Sequence, residues 1–431
     1  MMSRYLRGAA VIVGLALVLY GSRGLFYRFT GPSIPLPNLQ GADPRVAAIV
    51  STTTDAVKRA PQSAEAWATL GKVLRAHEFD AESNVAFRRA VELDPEEPRW
   101  TYLLARGVRL SNPDEAIVLL RQSAQHTDRV MTPQLLLGEL LLDRGEVDEA
   151  EKVFRSVLAR DADNPRAYLG LGRIAFGRGH VDAALDHLQR SLKLESRATE
   201  THSMLAQVYG RLGRTAEAEK ERQEATRRGE WYWEDQYQDE VFELWVGLKA
   251  QLTVARNRWT SGDRDGAIEL LQQTVRDYPD SSRAHFMLGD ELNRLGRPAE
   301  ALAPLRAAVR LDPKSSSAHF ELGYALHRTG DPFAAEASYR TAIGLQPNYA
   351  VAYYNLSYAL EEKADRPGAI EAIRQALRYE PAFTRANQRL AELLERSGQP
   401  GAARAARAQS TANPLAVGEE DAAAVGVPQQ R

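Results

Sequence analysis

The chain of 431 residues contains no cysteine. That absence excludes disulfide frameworks, thiolate zinc sites, iron–sulfur clusters, thiol nucleophiles and a lipidated N-terminal Cys together. It fits an exoplasmic compartment slightly better than the cytosol. An excess of one charge is also missing. Lys plus Arg total 55 against 57 Asp plus Glu, a formal net charge of −2, so no global field draws the chain to nucleic acid or anionic lipid. The phosphate-cradling G-x-x-x-x-G-K-[ST], the zinc-binding H-E-x-x-H and the nucleophile-elbow G-x-S-x-G do not occur. What remains, 44% hydrophobic and 26% charged residues with 30 Gly and 21 Pro, is ordinary globular usage with room for two or three core-forming units.

Long apolar runs are nearly absent too, with one exception. Arg4 and Arg7 precede the uncharged stretch Gly8 to Ser22, and Arg23 and Arg28 follow it. Gly8 to Ser22 would span about 22 Å as a helix, and counting through Tyr27 with Arg23 snorkelling gives about 30 Å, enough to cross a bilayer. Tyr5, Phe26 and Tyr27 would anchor it at the interfaces. Residues 1–30 therefore read as one N-terminal transmembrane helix. A cleaved signal peptide is the alternative, but no A-x-A cleavage pattern follows the run. The flanking Arg are balanced, so orientation is only weakly set; N-terminus inside places the remainder in the periplasm or cell exterior, and the alternative places it in the cytoplasm. Residues 31–43, with three Pro and two Gly, read as an extended spacer.

From Pro44 onward the sequence repeats itself. After Leu70-Gly71 and a unit one residue short, small residues recur from Gly138 to Gly172 and Ala206 in steps of 34, and again at Ala255, Gly289, Gly323, Ser357 and Ala391. Thirty-four residues suit one helix–turn–helix unit per period. A second small place, twelve residues on, holds Ala150, Ala184, Ala218, Ala267, Ala301, Ala335, Ala369 and Ala403, where the two helices must approach most closely. Gly145, Gly179, Gly213, Gly262, Gly296, Gly330 and Gly398 supply the left-handed turn between helices. Pro95, Pro279, Pro313, Pro347 and Pro381 stop the second helix.

These units resemble tetratricopeptide repeats, whose pattern W-x2-L-G-x2-Y, A-x3-F, A and P is matched by Trp67, Leu70, Gly71, Phe87, Ala90 and Pro95. The resemblance covers about 350 residues and implies an all-α fold, an α-solenoid of helical hairpins. Ten units begin near Ala64, Glu97, Met131, Pro165, Thr199, Leu248, Ser282, Ser316, Ala350 and Thr384. The second is degenerate, with Ser111-Asn112-Pro113 at its turn.

The large second-helix residue that packs into the next unit reads Phe87, Leu120, Phe154, Leu188, then Arg222, and later Leu271, Leu305, Tyr339, Ile373, then Arg407. An Arg at the stacking place marks the polar end of an array. The step from Ala206 to Ala255 also carries 15 extra residues. Two superhelical arrays are therefore expected. The first spans residues 44–229, a cap plus five repeats; the second spans 248–412. Between them residues 230–247 form an aromatic and acidic joint, read either as a partner-binding lip or as a bridging helix whose rings bury against the arrays. Residues 413–431 lack a period and read as a disordered tail.

Catalytic chemistry is not expected. Gly170-Leu171-Gly172-Arg173-Ile174-Ala175 imitates a dinucleotide fingerprint, yet Gly172 holds the repeat's small place inside a helix. The eight His are scattered, and His285 and His319 recur only because both take the fourth place of a unit, so no metal or cofactor is expected. Repeats of this class offer a groove instead, lined by first-helix residues. In the second array these are Arg256, Trp259, Phe286, Asp290, Phe320, Tyr324, His327, Tyr354 and Tyr358, with Arg294 and Arg328 alongside: rings to bury a partner's side chains, guanidinium groups to hold its carboxylates. Packing within the array is the competing reading of that stripe. The first array is plainer, with Leu135, Leu169, Arg173 and Phe176. Family members that bind chaperone tails carry Lys and Asn clamps which this sequence lacks, and of the Asn ladder in the sugar-transferase relatives only Asn355 matches. The sequence thus points to a membrane-anchored scaffold for a protein or peptide partner, with no nucleic acid and no small-molecule substrate. An accessory subunit of an envelope enzyme, such as polysaccharide synthesis or export machinery, is the alternative.

Overall fold

The computed structural model describes residues 33–127, 130–227 and 233–411. The expected anchor (1–30), the tail (413–431), and Trp231 and Tyr232 of the joint lie outside the described residues. Among the described residues no helix is long and apolar enough to cross a membrane. They form 22 helices and no strand.

Helix α1 (Pro44–Arg59) leads, and five hairpins follow: α2 (Ala64–Ala76) with α3 (Asp80–Leu93), α4 (Pro98–Val108) with α5 (Pro113–Gln125), and α6 (Thr132–Asp143) with α7 (Val147–Arg160). Next come α8 (Pro165–Gly177) with α9 (Val181–Leu194), and α10 (Thr199–Arg211) with α11 (Thr215–Arg227). A short helix, α12 (Gln236–Phe242), precedes five more pairs: α13 (Leu248–Thr260) with α14 (Arg264–Asp277), α15 (Ser282–Arg294) with α16 (Pro298–Leu311), and α17 (Ser316–Arg328) with α18 (Pro332–Leu345). The last two are α19 (Ala350–Glu362) with α20 (Arg366–Tyr379), and α21 (Thr384–Arg396) with α22 (Pro400–Thr411). Each first helix starts at, or one residue after, the place the 34-residue period marks. The chain divides into two compact units, Met1–Gly247 and Leu248–Arg431.

The period works through one recurring contact. A Cβ on Gly71, Gly138, Gly172, Gly289 or Gly323 would stand 2.4–3.1 Å from the large second-helix side chain of the same hairpin, respectively Phe87, Phe154, Leu188, Leu305 and Tyr339. The missing side chain lets that residue lie flat against the first helix, and all five are buried. Phe154 is clamped twice, since a Cβ on Gly170 of the next hairpin would come within 2.5 Å of its ring. These residues therefore close their own hairpin as well as docking the next one. Arg222 and Arg407, at the same place in the fifth and tenth hairpins, are exposed and pair with Glu219 and Glu395. The second unit's core runs unbroken from Leu252 to Ala406.

All seven turn glycines have positive φ, between 72° and 93°. Of the three hairpins that lack one, the first and ninth put Glu78 (φ 67°) and Ala364 (φ 65°) at that place, and the second turns through Ser111 and Asn112 without a left-handed residue. A left-handed L-residue costs roughly 1–2 kcal/mol, partly offset by the smaller unfolded-state entropy of Ala relative to Gly. Ala364→Gly should therefore stabilise the second unit by about 0.5–1 kcal/mol, measured by chemical denaturation.

Two expectations change here. The non-helical stretch before α1 does not stand away from the body: Pro37 is buried, and Ile34 and Leu39 pack on the first unit's core. The joint, expected to lie between arrays, belongs in its described part to the first unit, where Tyr237 and Val241 join the core.

Candidate functional site

Within each unit, first helices of consecutive repeats touch one another, α15 with α17 and α17 with α19 in the second, so they form the inner side of each array. On the second unit the sequence-predicted stripe separates into two groups. Arg256, Arg294 and Arg328 are exposed, and Trp259, Phe286 and Tyr324 are half-buried, with part of each ring at the surface. The Arg264 guanidinium lies 5.6 Å from the Trp259 ring centre, and Arg294 Nε donates to Asp290 at 3.1 Å.

Phe320 (3% exposed) and Tyr354 (2%) are core residues, a correction to the stripe. The physical reason is that a ring capping the next first helix, Tyr349 or Phe383, covers each of them, where Ser315 stands beyond Phe286. Phe320 sits 5.1 Å from Tyr349 and 5.9 Å from Tyr339, and Tyr354 sits 5.1 Å from Phe383. Tyr358 is half-buried and already engaged: its hydroxyl meets that of Tyr354 at 2.9 Å, and the Arg389 guanidinium covers its ring at 3.8 Å.

Beside the exposed group lies a set of carboxyls that the stripe reading left out. Asn293 Nδ2 donates to the Glu321 backbone oxygen (3.0 Å) and to Oε2 (2.8 Å). Burial, with Asp290 next to it, pushes the Glu321 carboxyl up to about 8; burial and the same neighbour push Glu291 up to about 7. Near neutral pH this floor thus carries less negative charge than its composition suggests. Glu291 and Glu321 each stand one residue after a groove place, those of Asp290 and Phe320, so spacing alone did not reveal them.

The first unit's inner side holds a segment of its own chain. Asp235 starts α12 by accepting from the Gln238 amide (3.1 Å). Its Oδ2 also accepts from the Tyr102 hydroxyl at 2.5 Å and from Arg106 at 3.1 Å, with Asp235 itself buried. Tyr237, 7% exposed, packs its ring 5.4 Å from Tyr102. One turn on, Glu240 accepts from Lys72 Nζ at 3.1 Å and lies 3.7 Å from Arg99, while Val241 is fully buried. At the two ends Trp233 Nε1 donates to Glu200 at 3.3 Å and the His77 ring hydrogen-bonds the Leu244 backbone. The segment therefore runs from the fifth hairpin back to the first, and α12 packs against the first helices α2 and α4. Lys72, Arg99, Tyr102 and Arg106 were missed in the sequence. Lys72 stands at a groove place, and the acidic run from Glu230 to Glu243 was the available sign that cations had to be near. Among the described residues no three metal-ligating side chains gather.

Stacked helical hairpins with first-helix grooves define an α-solenoid suited to protein–protein interaction. Models of the tetratricopeptide repeat match residues 135–199, 199–220, 252–316, 287–350 and 350–383. The chain belongs to the tetratricopeptide repeat family. Among curated proteins it resembles "Cellulose synthase 1 operon protein C" of Komagataeibacter xylinus, 28% identical over 160 residues, 34% of this chain and 12% of that protein. It also resembles "Anaphase-promoting complex subunit cut9" of Schizosaccharomyces pombe, 24% identical over 162 residues, 37% of this chain and 24% of the other. The chain thus spans less than a quarter of the length of either relative. Among solved structures, MamA is 28% identical over 37% of this chain and 93% of its own, with a TM-score of 0.36. YrrB is 19% identical over 54% and 95%, with a TM-score of 0.24.

Proposed function

We propose that the protein is a membrane-anchored, non-enzymatic scaffold whose second array receives a peptide or protein partner, in the assembly of an envelope complex. The observation that carries this reading is the exposed belt of three Arg and three half-exposed rings on the first helices of three consecutive repeats, Arg256 and Trp259, Phe286 and Arg294, Tyr324 and Arg328. Rings of this kind bury a partner's side chains while guanidinium groups engage its carboxylates and backbone. The apolar run near the N-terminus, Gly8 to Ser22, supports the anchor.

Affinity capture from detergent extract, with mass spectrometry, identifies the partner. Trp259→Ala with Tyr324→Ala is then expected to weaken it 10- to 30-fold, about 2 kcal/mol, with the melting curve unchanged. Unchanged affinity would remove the belt from the binding site.

A second reading has its own support. The match to "Cellulose synthase 1 operon protein C" favours an accessory subunit of polysaccharide synthesis or export machinery. Co-purification of a polysaccharide synthase with the full chain separates it from a general adaptor.

A further inference from the structure

We propose that the first array's groove is a binding site for an acidic–aromatic helical peptide of a partner, and that residues 233–246 are a built-in ligand which such a peptide displaces. The proposal rests on the reading that the grooves take peptides, but it concerns a different groove and a defined chemistry.

The contacts have the form of a ligand in a site. A two-turn helix lays its anchors, Asp235, Tyr237 and Val241, onto the inner helices, and Glu240 reaches the cations beside them. Its other face stays in solvent: Gln236, Asp239, Phe242 and Glu243 are exposed. This is the way an amphipathic peptide helix fills a groove, through spaced anchors.

The groove is also built for negative charge whether or not this segment fills it. Lys72, Arg75, Arg99, Arg106 and Arg109 converge there from the first two first helices and the turn that follows them. Burial lowers the proton affinity of Arg75, against the pull of Asp80, and burial with repulsion from Arg106 lowers that of Arg109. Arg75 and Arg99 pair within the repeats with Asp80 and Glu97, whereas Lys72 and Arg106 pair with carboxylates of the segment; emptying the groove leaves those two cations with a standing electrostatic cost, which an acidic ligand relieves. Asp235 and Glu240 answer with the two carboxylates spaced to meet Arg106 and Lys72.

The repeats do not need the segment to close their own hairpins. Phe87 and Leu120, the second-helix residues that close the first two hairpins, are buried, as their counterparts Leu271, Leu305, Tyr339 and Ile373 are in the second unit without any such segment. Exchange is therefore feasible without unfolding the array. The partner peptide carries an acidic residue, an aromatic two places on, and Glu-Val three further, as in Asp235-x-Tyr237-x-x-Glu240-Val241.

The experiment uses the full chain in detergent and a fluorescent synthetic peptide of residues 233–246. Two variants open the groove independently: Tyr237→Ser with Val241→Ser, and Glu240→Lys. Each is expected to bind the peptide at least tenfold tighter than the unchanged chain, and adding Arg106→Glu to either should abolish the gain. A peptide carrying Asp235→Lys should fail to bind. Folded variants that bind no tighter than the unchanged chain would show a strap that takes no ligand in trans. Loss of helical signal in both variants would show that the segment is an integral part of the fold. Either result overturns the proposal, and neither touches the second groove, whose test reads Trp259 and Tyr324.

Discussion

Phe154→Ala is expected to cost the first unit about 3–5 kcal/mol, the range for deleting a buried aromatic ring. The upper half of that range applies here. The ring is fully buried and lies between Gly138 of its own hairpin and Gly170 of the next, with hypothetical Cβ positions 2.8 and 2.5 Å away. Cavities become cheaper when neighbours collapse into them, and two glycines have no side chains with which to do so. In an array each repeat leans only on its neighbours, so loss of the contact uncouples the third hairpin from the fourth as well as opening the third. Hydrogen exchange on the full chain should show amides of α6, α7 and α8 losing protection together. A loss below about 1 kcal/mol, or protection lost in α7 alone, would mean that the glycine pair does not hold the ring as described.

This contact also explains why so much of the fold was legible. Steps of 34 residues reproduce hairpin starts because each hairpin repeats one steric problem, a large second-helix residue against a small first-helix one. The sequence writes both halves of it, as in Gly323 and Tyr339. The turn glycines are legible for the same reason, since a left-handed φ admits few residues. The grooves were less legible. Fifth-place rings look alike in sequence whether they face a partner or the next hairpin, and what the next hairpin's cap lays over them decides; Phe286 keeps part of its ring at the surface while Phe320 and Tyr354, covered by Tyr349 and Phe383, do not. Asp235 with Tyr102, 133 residues apart, could not be paired from spacing at all. The acidic run did carry a signal, an excess of charge beside aromatics, yet charge alone does not say which array receives it.

Glu321→Gln should make the second unit more stable at alkaline pH by about 2 kcal/mol and change it little at pH 5. The carboxyl is partly buried beside Asp290 and Glu291, with Arg294 and Asn293 in reach, and its proton affinity is raised, to a pKa of about 8 from the usual 4.5. A group raised in this way is protonated in the folded chain and ionised in the unfolded one between those two values. The folded state then binds more protons, so stability falls as pH rises from about 4.5 to about 8. Above pH 8 both states are ionised and the folded state bears the whole cost of the buried charge. A tenfold change in proton affinity corresponds to about 1.4 kcal/mol, and solvent reaching the partly exposed residue reduces the sum to the figure expected here. Gln keeps the oxygen that accepts from Asn293 and removes the titration. Glu291, raised to about 7, still titrates in the variant. Denaturant melts across pH 5 to 9 should therefore keep a decline up to about pH 7 and lose it above. A decline that persists unchanged between pH 7 and 9 would place the titrating group elsewhere, and a variant less stable at pH 9 would mean that Glu321 is ionised and well paired in the folded chain.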